Sequence, residues 1–379
     1  MAFSKIIGAS VADDAIDVSD LGTVMSVGET APASPFVGQR WYRASTAITY
    51  QYTNDGTSSF WLDLSSGGIG TSANRGVDIV GDIDPHKAIN PSGGVGSVYY
   101  NREKNRHFVC SDATSNANVW TGRYAGAGGI VTDYLLSGTY YRIHTFIASG
   151  TFHMEDTTSV EYLVVAGGGS GGSDADRSGG GGGAGGFRTA TGFSVTKGTY
   201  AVTVGRGGTG SVDNIGNDGG NSIFSSITAT GGGGGGGAGG HGRAGGSGGG
   251  GVHGGGAGGG STDYGNNGGQ GVGESPYSGG GGGGAGAVGV ASSAGTCGAG
   301  GAGTASTIRD GSTSVTYAGG GGGGATGGTI GAGGAGGGGA GHTTTSAVAG
   351  TANTGGGGGG GGDEGAAGGS GIVIIKYAL

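Results

Sequence analysis

Hydrophobic and polar positions follow three patterns along this chain. Up to about residue 140, aromatic residues alternate with polar ones in short stretches between turn-rich clusters. Val37-Gly-Gln-Arg-Trp-Tyr42 aligns with Val95-Gly-Ser-Val-Tyr-Tyr100 at an offset of 58 residues. The same offset pairs Tyr50 with Phe108 and Tyr52 with Cys110, and each unit closes on a tryptophan, Trp61 or Trp120. Period-two alternation between turn clusters predicts two related modules of short antiparallel strands, each a hairpin or meander. A unit that small buries too little apolar surface to stand alone. The second pattern is an unbroken apolar run, as in Leu163-Val-Val165 and Gly371-Ile-Val-Ile-Ile-Lys-Tyr377. Such runs predict strands buried on both faces. Further strands are expected at Tyr140–Ile147, Val160–Ala166, Phe193–Val195, Tyr200–Val204 and Ile223–Ala229. The simplest arrangement pairs the last segment beside those strands and clamps everything between them as one insertion. Val11–Leu21 reads as a short helix or an extended arm.

The third pattern is glycine itself. The chain has 379 residues, of which 110 are Gly. Nineteen fall in residues 1–166 and the other 91 in 167–379, which marks a composition boundary. Gly recurs at no fixed three-residue period and there are only 5 Pro, so collagen is excluded. The runs at 231–237, 279–284, 319–324 and 355–362 have similar lengths and are broken by turn-like segments, which is unlike a monotonous flexible linker. The ordered alternative is polyglycine II, a threefold extended helix with no internal hydrogen bonds. Ordering a residue costs about 1–2 kcal/mol, and one hydrogen bond returns about 0.5–1.5. A lone helix therefore loses, whereas a surrounded one breaks even. A bundle nucleated by a β base is expected. The pure runs 231–237 and 355–362 should lie at its centre. The Gly/Ala stretches 298–303 and 331–336 should lie at its periphery, with Ala facing outward or into a gap.

Charged residues make up only 11% of the chain and the net charge is −8, which disfavours a nucleic-acid partner. Cys110 and Cys297 are too few and too far apart for a disulfide framework, so two free thiols are expected. The N-terminus lacks a secretory apolar region and no run is long enough to insert in a membrane. Gly205-Arg-Gly-Gly-Thr-Gly210 matches a dinucleotide fingerprint formally, but turn-like residues follow it where a helix should start. His241, His253 and His342 lack the fixed geometry of a metal site. Asp174, Asp176 and Arg177 form a charged turn, as do Asp363 and Glu364. No nucleophile with its base and no paired carboxylates are evident, so neither an enzyme nor a cofactor is expected. Recognition would fall to the tips of the bundle, where side chains remain. The candidates are Tyr264, Asn266, Asn267, Gln270, Glu274 and Tyr277, with His241, Arg243, Arg309 and Asp310 as second choices. Tyr and Asn bind saccharides or protein loops at modest entropic cost.

His144-Thr-Phe-Ile-Ala-Ser-Gly-Thr-Phe152, Glu161-Tyr-Leu-Val-Val-Ala-Gly-Gly-Gly169 and Gly182-Gly-Ala-Gly-Gly-Phe-Arg188 are distinctive. So are Gly219-Gly-Asn-Ser-Ile-Phe-Ser225 and the closing Gly368-Gly-Ser-Gly-Ile-Val-Ile-Ile-Lys-Tyr377. Together they resemble the glycine-rich domain at the C-terminus of bacteriophage tail fibres and other virion appendages. The expected fold is mainly β with little helix: small N-terminal β modules, then a β-sandwich-like base carrying a polyglycine II bundle. The expected division is an arm at 1–34, modules at 35–75 and 76–142, and a glycine-rich domain at 143–379. Within that domain the base is expected at 143–230 plus 371–379 and the insertion at 231–370. The resemblance implies that the arm docks to other virion proteins. It also implies that the glycine-rich domain binds a host cell-surface receptor, a saccharide or an outer-membrane protein, and that the fibre is a homotrimer. Synthesis in the host cytoplasm without a signal peptide fits that picture. The alternative is a capsid decoration fibre with weak adhesion. An ice-binding protein would want a strict three-residue glycine period, and a depolymerase would want a carboxylate pair in a groove.

Overall fold

A computed structural model describes residues 25–379, apart from 36, 38, 44, 46–47, 55–58, 64–76, 105, 123–125, 176, 239, 253–255, 257–258, 261–263 and 344–346. The segment 11–21 and most of the expected 1–34 arm lie outside the described residues, as do Asp176 and His253. The described residues form strands, turns and extended segments with no helix. The chain divides into two compact units, 1–123 and 124–379.

The first unit contains β1 (Met25–Val27), β2 (Arg40–Arg43), β3 (Ile48–Asn54), β4 (Ser59–Asp63), β5 (Ile79–Gly81), β6 (Val98–Asn101), β7 (Arg106–Asp112) and β8 (Val119–Gly122). They make two four-stranded sheets with the same order, β1-β2-β3-β4 and β5-β6-β7-β8. In each, three antiparallel strands gain a parallel first strand, so each module is larger than a meander. The 58-residue offset is a structural repeat. Trp41 faces Tyr50 across one ladder and Tyr99 faces Phe108 across the other. Trp41 and Trp61 lie edge to face at 5.8 Å, as Tyr99 and Trp120 do at 5.7 Å. Each cluster is tied to the loop after its parallel strand. Trp41 Nε1 donates to the Gly28 carbonyl at 3.0 Å, and the Tyr99 hydroxyl donates to that of Ile83 at 2.9 Å. Buried aromatic polar tips need such partners.

The second unit contains β9 (Gly126–Ala127), β10 (Ile130–Leu136), β11 (Thr139–Phe146), β12 (Gly150–Met154), β13 (Thr158–Val165), β14 (Ser178–Gly179), β15 (Phe187–Val195) and β16 (Gly198–Thr203). Then follow β17 (Ser211–Val212), β18 (Ser222–Phe224), β19 (Ile227–Ala229), β20 (Thr304–Ser306), β21 (Val315–Tyr317), β22 (Gly324–Ala325), β23 (Glu364–Gly365) and β24 (Ile372–Ala378). Its base is two five-stranded sheets, β10-β11-β24-β13-β15 and β19-β18-β16-β12-β9. β24 lies between β11 and β13, so the ends of the long excursion meet in adjacent strands, Val165 beside Ile372. The unbroken apolar runs are explained by burial on both faces. Val164, Val373 and Ile375 pack with Phe152, Met154 and Phe224 of the other sheet. Leu163, Val165, Ile372 and Ile374 pack on the opposite side, against Ile308 and Tyr317 of the β20–β21 hairpin. Each such side chain contributes about 1.5–3 kcal/mol.

Several boundaries differ from those read in the sequence. β1 falls inside the expected 1–34 arm. β9, β10 and the start of β11 belong to the base, where the composition suggested module two up to 142. Ile223–Ala229 is a hairpin of β18 and β19 turned at Ser225, whose φ is +54°. The base at 143–230 is itself interrupted, because 166–186 and 204–221 also run out into the bundle.

In the bundle the hydrogen-bonding direction rotates with a three-residue period. Gly180, Gly183 and Gly186 donate to Gly236, Gly233 and Thr230. Gly181 and Ala184 donate to Gly280 and Gly283, and Gly182 and Gly185 to Gly358 and Gly355. The carbonyls rotate likewise: Gly180 and Gly183 accept from Gly172 and Gly169, Gly181 and Ala184 from Gly250 and Ser247, and Gly182 from Gly321. Segment 180–186 is thus bonded to six others, and every N–H from Gly180 to Gly186 is paired. Runs 231–237 and 355–362 are buried throughout. In 331–336, Gly331 and Gly334 are buried while Ala332 and Ala335 are exposed, so the methyl groups face outward at a three-residue spacing. Ala184 is the exception inside the central run. It lies near the base among Ile308, Tyr317 and Ala285, where a methyl group has apolar neighbours.

Candidate functional site

The direction of each bundle segment fixes which turns share an end. Residues 166–173 leave β13 and 178–186 return to β15, so the reversal at 173–178 lies at the end far from the base. The far-end turns are tied to one another. Ser173 bridges Gly361, Ser178 pairs with Ala325, and Val212 pairs with Glu364. Thr326 N donates to the Arg177 carbonyl at 2.9 Å, and Thr296 bridges Thr329. This end gathers Asp174, Arg177, Asp213, Asn214, Tyr277 and Glu364. The exposed 326–330 turn completes it. The Arg177 guanidinium lies over the Tyr277 ring at 5.3 Å, a cation–π pair at the half-exposed surface.

The sequence-derived candidates divide between the two ends. Glu274, exposed, and Tyr277 stand at the far end, as does His241, whose Nδ1 accepts from Gly256 N at 2.9 Å. Gln270 is exposed, and its carbonyl accepts from Ser292 N. Arg243 lies along one flank, paired with Asp218 at 3.0 Å. Tyr264 is at the base end, where Arg188 sits over its ring at 4.6 Å. Asn266 is there too and donates through Nδ2 to the carbonyls of Gly284 and Ala285. Asn267 Oδ1 accepts from Gly260 N at 2.7 Å. Arg309 and Asp310 belong to the loop of the β20–β21 hairpin, which returns to the base next to Tyr134 and Leu136. The Asp310 carboxylate accepts from the Thr313 and Ser312 amides and fixes that turn. The Thr313 side chain first, and then these two amides, hold its pKa at about 2. Tyr264 and Tyr277 are therefore not one cluster, since a full pass of the bundle separates them. Arg177 and the 326–330 turn join Tyr277 instead. The signal that would have found them is the alternation of outward and returning segments, which assigns successive turns to opposite ends.

The flank carrying Asp218 shows how the bundle terminates sideways. Where no further glycine segment follows, side chains accept the bonds. Asn221 Oδ1 takes Gly231 N at 2.8 Å and Asp218 Oδ1 takes Gly234 N at 2.9 Å, again three residues apart. Among the described residues no three His, Cys, Asp or Glu converge on a metal position, and no helix is long and apolar enough to cross a membrane. Cys110 and Cys297 are free and buried, and burial raises both thiol pKa values.

The bundle segments carry few side chains, and most of the polar ones sit at the turns or along the Asp218 flank. The model of the glycine-rich domain family matches residues 147–378, more than half of the chain, and the chain belongs to that family. No curated protein matches it.

Proposed function

We propose that the glycine segments are polyglycine II helices and that the chain is a bacteriophage tail fibre or spike protein. Its far-end loops would contact a receptor on the host surface, a saccharide or an outer-membrane protein. The polyglycine II reading is supported by the three-residue rotation of donors and acceptors around segment 180–186. One observation carries the functional reading. The glycine shaft has almost no chemistry of its own, while one end collects Arg177, Tyr277, Glu274 and the exposed 326–330 turn. Membership of the glycine-rich family and the resemblance to virion appendages agree with it. In this reading the protein is a binding subunit of the virion and not an enzyme. It needs no cofactor, and the first unit joins it to other virion proteins.

The test is immunogold electron microscopy of the source particle with antibodies against residues 145–379, followed by adsorption assays with Tyr277→Ala and Glu274→Ala. Label at the distal end of tail fibres, with reduced adsorption by the variants, is the expected result. Label over the capsid replaces this reading with a decoration fibre, and no label on any particle overturns it.

A further inference from the structure

The sheet β10-β11-β24-β13-β15 ends on one side at β10, whose outer edge pairs with no strand among the described residues. Other edges in this unit carry features that discourage pairing. β9 has two residues and β19 three. β15 is interrupted by a register shift opposite Val160–Tyr162 and by Gly192 at positive φ. Short strands, bulges and charges are how natural edges are kept from associating. β10 is neither short nor bulged, and the one inward-pointing charge it carries is neutralised within its own sheet. It is seven residues long and pairs with β11 in unbroken register. Its only charge, Asp133, is turned inward and held by Arg142 at 2.8 and 2.9 Å, with side chains 9% and 4% exposed. Its apolar residues are open instead: Ile130 53%, Val131 46%, Leu135 54% and Leu136 38%.

We propose that β10 pairs antiparallel with β10 of a second copy of this chain, about a two-fold axis at Asp133. An open strand edge offers a row of N–H and C=O groups that another strand matches. The pattern of β10 selects which strand. Ile130-Val-Thr-Asp-Tyr-Leu-Leu136 reads apolar, apolar, polar, acidic, polar-tipped, apolar, apolar, the same from either end. Centred on Asp133, Val131 faces Leu135 of the partner subunit and Ile130 faces Leu136 of the partner subunit. Every exposed apolar side chain then has an apolar one across from it, the arrangement that stabilises cross-strand pairs. The two Asp133 carboxylates that meet at the axis are each neutralised within their own copy by Arg142. A two-fold interface must be self-complementary in this way. The two base sheets would join into one of ten strands. This pairing goes beyond the proposed function and replaces the threefold assembly that the family resemblance implies.

Size-exclusion chromatography with light scattering on the full chain tests it. The wild type should have twice the 35.4 kDa monomer mass. Val131→Lys with Leu135→Lys places lysines opposite lysines and should weaken the dimer roughly a hundredfold, with an unchanged circular dichroism spectrum. Val131→Lys with Leu135→Glu places each lysine opposite a glutamate of the partner and should restore the dimer, because the proposed register brings 131 against 135. A wild type that is monomeric or trimeric overturns the proposal, as does a folded double-lysine variant that stays dimeric. A lysine–glutamate variant that is folded and monomeric overturns the register.

Discussion

Gly182 tests the bundle most directly. It lies in the central segment, donating to Gly358 at 2.8 Å and accepting from Gly321 at 2.9 Å. A Cβ built on it would stand 2.2 Å from the Gly169 carbonyl oxygen and 2.7 Å from that of Ser170. Both obstacles are backbone, so no side chain can swing aside. Segment 166–172 would have to retreat by about an ångström to reach ordinary van der Waals distance. That strains the bonds from Gly169 to Gly183 and from Gly172 to Gly180, and those that bind the same segment to Gly369 and Ala366. Overpacking costs about 1–3 kcal/mol, and each weakened hydrogen bond up to about 1 more. The smaller entropy of the unfolded alanine chain returns about 0.4–1 kcal/mol. Gly182→Ala should therefore destabilise by about 3–5 kcal/mol, a fall in Tm of about 6–20 °C for a unit of this size. Gly327 is the control, because a Cβ there meets nothing within 4 Å and its φ is not positive. Gly327→Ala should be neutral or slightly stabilising. Thermal melting by circular dichroism measures both. A Gly182→Ala protein that melts with the wild type would refute the close-packed reading of the bundle.

Three further outcomes follow from the base and the flank. Burial pushes the His144 pKa down from 6.5 to about 4, so the ring is neutral in the fold, bonded to Gly128 and Tyr377. Below pH 6.5 the unfolded chain takes up a proton that the folded chain refuses. Stability should then fall by about 3 kcal/mol between pH 6.5 and 4, and His144→Gln should flatten that part of a urea-melt pH series. Arg142→Ala strands the buried Asp133 carboxylate and should cost about 3–5 kcal/mol, part of which Asp133→Asn in the same chain recovers, read by denaturant titration. Asn221→Ala removes the acceptor for Gly231 N and should cost about 1 kcal/mol, with faster hydrogen exchange at Gly231 and little change at Gly182.

The base was legible where the sequence departs from alternation. Leu163-Val-Val165 and Ile372–Ile375 are unbroken because β13 and β24 are covered on both faces, and that burial is written into residue type. The aromatic repeat was equally plain, since Trp41 and Tyr99 do the same work 58 residues apart. The place of β10 is not legible, because its sequence resembles the module before it and only pairing with β11 fixes it in the base. Segment 204–221 does not read as part of the bundle because Arg206 and Thr209 interrupt its glycines, although both are exposed and leave Gly205 and Gly208 buried. The candidate site was least legible. Proximity in sequence suggested that Tyr264 and Tyr277 act together, whereas an extended segment carries the chain from one end of the bundle to the other between them.

β24 has a kinetic consequence. It enters the middle of its sheet more than two hundred residues after β13, its neighbour on one side. Neither the base nor the glycine segments anchored on it can close until that strand arrives, and pairing so distant in sequence forms slowly. The same topology works in reverse. Unfolding must extract a central strand bonded on both edges and buried on both faces. Interactions absent until the last step of folding chiefly lower the unfolding rate, so this unit should persist for long times under conditions where its equilibrium stability is modest. Its durability would be a property of its barrier.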